Sequence, residues 1–144
     1  TSGALRASTA LALTVNAASN GGGTGPVTLT GKRNASGPWY YEDDVGFSTT
    51  AQITALTVTV TAPAANVTYN GAYDTIGGQI VESYTSGANF VYSFKLTPGQ
   101  VIYPGSYTFA AGMNGDGVQR DLTADSWTAT YTVGGQTYTQ SGKF

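Results

Sequence analysis

The chain has no cysteine and no histidine among its 144 residues. Those two absences remove the thiolate nucleophile, the Cys/His zinc site, the histidine general base and imidazole-ligated copper or iron. Disulfides are excluded as well, so the fold rests on packing and hydrogen bonds. Charge is scarce: 10% of residues are Asp, Glu, Lys or Arg, against about 25% in an average soluble protein. The 6 basic residues are dispersed, with Lys32-Arg33 the one adjacent pair, and the net charge is −2. With no basic patch, neither a nucleic acid nor an anionic membrane surface is an expected partner. No apolar run approaches the roughly 20 residues that cross a bilayer. The opening "TSGALRASTALAL" has neither the n-region nor the h-region of a signal peptide. With the low charge and the many Thr, Ser, Asn and Gly residues, it reads as a secreted, extracellular module whose leader has been removed.

What is present is enough for a core: 40% hydrophobic and 12% aromatic residues. The length suits one domain over residues 1–144, given about 100–200 residues per domain. Period-2 alternation recurs in short runs broken by Gly, Pro, Asn and Asp, and helical periodicity is nearly absent. "ITALTVTVTA" sets Leu56, Val58 and Val60 against Thr57, Thr59 and Thr61. "NFVYSFKL", "SYTFAAGM" and "SWTATYTV" alternate in the same way, and "QTYTQSGKF" pairs with the last of them through Gly134-Gly135. Further strands are expected at "TALALTVNA", "PVTLTGK", "DDVGFS", "NVTYN" and "GQIVESY", with "SNGGGTGP" as a connection. The fold class is therefore all-β: a sandwich, jelly-roll or immunoglobulin-like, of roughly eight to ten antiparallel strands.

Strand aromatics such as Phe90, Tyr92, Phe94, Phe109, Trp127 and Tyr131 are read as core, and the loop aromatics differ. A sugar ring has an apolar C–H face and polar edges, which exposed rings with nearby amides and carboxylates suit. Trp39 leads these candidates, with Tyr40, Tyr69, Tyr73 and Tyr103 as companions. Asn70, Asp74, Gln79 and Glu82 are the candidates for hydroxyl contacts. Asn70-Gly71 also reads as a hairpin turn.

In "GPWYYEDDVGF", alternation sends Val45 and Phe47 inward, with Tyr41 on the same parity, and leaves the acids as a strand edge first and a metal site second. No cofactor is expected beyond a structural calcium ion, for which Asp43, Asp44, Asn114, Asp116 and Asp121 are partial ligand sets. Arg120 is expected to pair with Asp121 or to cap its loop. An acid pair such as Glu42 and Glu82 could in principle hydrolyse a glycoside, but nothing beyond the presence of carboxylates supports catalysis. The threonine runs invite an ice-binding reading, although two runs do not make a repetitive plane.

"ITALTVTVTAPAANVTYNGAYDT", "FKLTPGQVIYPGSYTFAAGMNGDG" and "DSWTATYTVGGQTYTQSGKF" together resemble the β-sandwich carbohydrate-binding modules of secreted, mostly actinobacterial, polysaccharide-degrading proteins. The resemblance covers roughly residues 38 to 144. It implies non-catalytic attachment to cellulose, chitin or another β-glucan, beside a covalently linked catalytic domain, and identifies no ligand residue. The alternative is a structural or adhesive immunoglobulin-like surface domain that meets protein partners, for which an isopeptide staple at Lys32 or Lys95 would be a marker.

Overall fold

The computed structural model describes residues 22–144, so the strand expected at "TALALTVNA" lies outside the described residues. Ten strands follow one another: β1 (Gly22–Thr24), β2 (Val27–Gly37), β3 (Tyr40–Thr49), β4 (Ile53–Pro63), β5 (Val67–Asp74), β6 (Ile80–Ser86), β7 (Asn89–Leu96), β8 (Gly105–Gly115), β9 (Ser126–Val133) and β10 (Gln136–Lys143). They form two antiparallel five-stranded sheets. Sheet A has the order β1-β2-β3-β8-β5 and sheet B the order β10-β9-β4-β7-β6. The sheets pack face to face, the β-sandwich that the alternating runs predict.

The alternation does its work strand by strand. On β4 the Leu56, Val58, Val60 and Ala62 parity is buried, and on β7 it is Phe90, Tyr92, Phe94 and Leu96. Trp127, Ala129 and Tyr131 of β9 complete the inner face of sheet B. Leu29, Val45, Phe47, Phe109, Ala111 and Met113 face them from sheet A. Phe47 meets Phe109 and Tyr131 edge-on, with ring centroids 6.4 and 5.9 Å apart, a favoured arrangement for aromatic quadrupoles. Gly134 and Gly135 hold φ of 58° and 77° between β9 and β10, the left-handed pair that a two-residue hairpin of this twist needs.

Two expectations are corrected. Asn70-Gly71 makes no hairpin: the pair lies inside β5, where the register to β8 shifts between Tyr69 and Gly71, a β-bulge. The acids of "YYEDD" are not on an edge either. They lie in β3, the middle strand of sheet A, because β2 and β8 pair with it on both sides.

Candidate functional site

On β3 the outward parity is Tyr40, Glu42 and Asp44, and the inward one is Tyr41, Asp43 and Val45. The three outward side chains stand in three successive rows of sheet A. One row reads Gly37–Tyr40–Asn114–Thr68, the next Ala35–Glu42–Gly112–Gly71, and the third Lys32–Asp44–Ala110–Tyr73. Small residues thus occupy β8 in the two lower rows, and larger ones arch over them. Tyr40 donates its hydroxyl to Glu42 Oε2. Tyr73 reaches across β8 to Glu42 Oε1 at 3.5 Å. Covered in this way, Glu42 is 8% exposed and Ala110 is fully buried, although both point away from the core. A Cβ at Gly112 would come within 3.2 Å of the Tyr40 hydroxyl and 3.3 Å of Asn70 Oδ1, so only glycine leaves this floor open.

Two β-bulges flank that middle row. On β2 the register shifts between Arg33 and Ala35, and the extra residue, Asn34, donates to Glu42 Oε1 at 2.6 Å. On β5 the extra residue is Asn70, which donates to Asn114 Oδ1 at 2.8 Å. A bulge re-aims a side chain and often sits beside a functional site; here two of them turn an asparagine toward one spot. From beneath, the buried Tyr92 of β7 donates to the Gly112 carbonyl at 2.8 Å and fixes the floor.

The electrostatics follow from the crowding of acids and phenols. The hydrogen bond to Glu42, with burial and that carboxylate's charge, pushes the Tyr40 phenol up to about 12. Burial and then Glu42 raise Tyr73. Burial, with Glu42 beside it, raises the Asp44 carboxyl to about 6, against a smaller opposing effect of Lys32. Asp44 Oδ1 is shielded and has no hydrogen-bond partner.

Trp39 stands at the end of this face, 70% exposed in the β2–β3 turn. Its carbonyl accepts from Gly115 N–H at 2.9 Å, and its ring lies against Gly117. A hollow of about 220 Å³, lined by Asn66, Thr68, Asn114 and Asp116 among others, opens beside Gly115.

The fold therefore brings Tyr40, Asp44, Asn70, Tyr73 and Asn114 together and sets Trp39 at their rim. The other sequence candidates go elsewhere. Tyr69 stacks on Tyr84 at 3.9 Å, closing the gap between β5 and β6. Asp74 accepts from the Ile76 and Gly77 amides at 2.7 and 2.8 Å, and lies beside Glu82, whose carboxyl is raised by burial and by Asp74. The carbonyl of Gln79 accepts from the Thr97 amide at 2.9 Å. Tyr103 is 63% exposed in the loop before β8 and accepts from Tyr107 through its carbonyl. Glu42 and Glu82 lie in different sheets. Asp116 and Asp121 cap local turns at Val118 and Thr123. Among the described residues no three acids are drawn together as a metal site would need.

Asp43 points into the interior. Arg33 bridges it to Asp125 with contacts of 3.2 and 3.1 Å, and Arg120 grips Asp125 through two nitrogens at 2.8 and 2.7 Å. Arg120 pairs with Asp125 rather than with the expected Asp121, and its guanidinium lies 4.8 Å from the Tyr41 ring centroid. Burial and the charge of Asp125 push Asp43 up to about 7, against the pull of Arg33.

No protein-family model matches the chain, and no curated protein matches it. Solved structures do. A cohesin module from a family 33 glycoside hydrolase of Clostridium perfringens is 12% identical and aligns over 81% of this chain and 91% of that one, with a TM-score of 0.50. A non-cellulosomal cohesin from the archaeon Archaeoglobus fulgidus is 8% identical over 82% and 90%, with a TM-score of 0.51. The likeness is one of fold.

Glu42 and Asn34 join this cluster although neither is among the ligand contacts expected from the sequence. The signal present in the sequence is parity, which puts Tyr40, Glu42 and Asp44 on one face; that Gly112 and Ala110 lie opposite Glu42 and Asp44 follows from the β3–β8 register.

Proposed function

We propose that this chain is a non-catalytic, extracellular carbohydrate-binding module that holds a polysaccharide across the outer face of sheet A. The observation that carries the reading is the Tyr40–Glu42–Tyr73 platform over Gly112, flanked by two bulged asparagines. Two tethered phenol rings offer apolar faces for the C–H side of a pyranose, and Asn34, Asn70, Asn114 and Asp44 stand at its polar edge. Trp39 extends the aromatic surface at one end. No imidazole or thiol is present to do acid–base or nucleophilic work. A cohesin module carried by a glycoside hydrolase shares the fold, which supports an accessory role beside a linked catalytic domain.

A pull-down panel of insoluble cellulose, chitin, xylan and β-1,3-glucan tests this. At least one should retain the protein, and Tyr73→Ala or Trp39→Ala should weaken retention about tenfold, the equivalent of about 1.4 kcal/mol. Retention by none, or full retention of both variants, would overturn it. A second reading, docking of a protein partner, is favoured by β6: it edges sheet B, and beyond Ile80 all its residues are exposed. Capture of a protein that protects the β6 amides, with no glycan bound, would select it.

A further inference from the structure

The platform lies on sheet A, and the outer face of sheet B is of another kind. The threonine runs of β4 and β9 meet a third on β10, and strand pairing sets all three in register. One row reads Ser141–Thr128–Thr59 and continues through Ser93 of β7 to Ser83 of β6, a line of hydroxyls across the whole sheet. The next row reads Thr139–Thr130–Thr57, and a third Thr137–Thr132–Ala55. Every one of these side chains is exposed or half-buried. In the block formed by β10, β9 and β4 only Ala55 lacks a hydroxyl, and no residue of the block is charged or aromatic. The runs are separate in the sequence, and the register makes them a two-dimensional array.

The array is also preset. Threonine is stiff about χ1. Hydroxyl bonds of 2.9 Å between Thr130 and Thr139 and of 2.8 Å between Thr132 and Thr137 fix neighbouring rotamers across β9 and β10. The repeat is about 4.8 Å across the strands and about 6.7 Å along them, close to the spacing of oxygens on a face of ice. Sheet twist turns neighbouring strands by about 20–25°, so the match is best at the centre, where Thr128 and Thr130 have β4 on one side and β10 on the other. At the Ala55 corner a hollow of about 440 Å³ opens, lined by Thr132, Thr137 and Lys95 among others, and interrupts the third row. Lys95 pairs with Thr57, and its strongly hydrated ammonium ends the second row. Within the block, methyl groups order the water beside them and hydroxyls anchor it. We propose that this face adsorbs to ice, with Thr59, Thr128 and Thr130 at the centre of the contact. The activity is separate from the glycan reading of sheet A, and neither depends on the other.

A single ice crystal held in a supercooled solution of the protein tests this. The freezing point should fall below the melting point, the crystal should grow facets, and the protein should enter an advancing ice front that excludes serum albumin. Thr130→Lys should lose all three effects with its urea midpoint unchanged. If that variant fails to fold, Thr128→Lys, at a more exposed position of the same strand, takes its place. Thr28→Lys, the same change on the outer face of sheet A, should keep all three. Lys95→Thr should lengthen the neutral row and widen the gap between freezing and melting. Absence of a gap, with exclusion from the ice like that of albumin, overturns the proposal. So does a gap that survives the lysine on β9, that Thr28→Lys abolishes, or that Lys95→Thr leaves unchanged or narrows. Retention on a polysaccharide bears on the platform of sheet A alone.

Discussion

Asp43 and its neighbours Glu42 and Asp44 are one run of acids with two destinies. Alternation turns Glu42 and Asp44 to the outer face, where phenols and amides meet them. Asp43 turns inward and is fully buried, with Arg33 at 3.2 Å and one oxygen, Oδ2, unpartnered. Burial outweighs the arginine and lifts its carboxyl to about 7. A carboxyl that holds its proton more tightly in the folded state than in the unfolded one stabilises the fold while it is protonated. That contribution is complete below the unfolded value of about 3.9 and is lost as pH rises to about 7. Stability should therefore fall as pH rises across this window. Asp43→Asn should flatten the profile, read from urea midpoints at several pH values. The same slope in that variant would assign the pH dependence to another group.

β3 shows how much of an element is legible in the chain. The "YYEDDVGFST" alternation correctly predicts Tyr41, Val45 and Phe47 as core, because side-chain direction along a strand depends only on parity. Its place in the middle of sheet A was not legible, since that depends on β2 and β8 pairing on either side. The bulges on β2 and β5 were hidden for the same reason: an extra residue shows only against the partner strand. The threonine runs of β4 and β9 read as separate until the sheet joins them. Thr57 pairs with Thr130, Thr59 with Thr128, and Thr130 bonds Thr139 at 2.9 Å.

β6 depends on a different contact. Beside the Asp74–Glu82 contact, its aromatic link to sheet A is the stack of Tyr84 on Tyr69, with an interplanar angle of 8°. Such a pair contributes about 0.5–1.5 kcal/mol beyond its burial. Tyr84→Ala should lower overall stability by about 1–2 kcal/mol and loosen β6 first, seen as faster amide exchange in residues 80–86 than in β4. Uniform exchange across both strands would deny the stack that role.

In the whole molecule the two open sides of the sandwich are closed differently. Opposite the tyrosine stack, Trp127 lies under the β2–β10 side and donates to the Lys143 carbonyl at 3.2 Å. Gly31 and Gly142 leave room for its indole, since a Cβ on either would press into the ring. Trp127→Ala should cost about 3–5 kcal/mol, the range for a large buried aromatic, measured by chemical denaturation. A loss under 1 kcal/mol would mean that this side is held by other contacts.

Composition and alternation were sufficient for the all-β class, the inner face of most strands and the exclusion of thiol and imidazole chemistry, because these are local properties. The platform is not local. It needs Asn34, Glu42, Tyr73 and Gly112 in adjoining rows of one sheet, and the Arg33–Asp125 pair beneath it spans 92 residues of chain. Strand order and bulge position bring such residues together, and both arise from pairing between distant segments. Tyr69 and Tyr73, equal candidates in one short stretch, were parted by the bulge and by which neighbour each ring could reach.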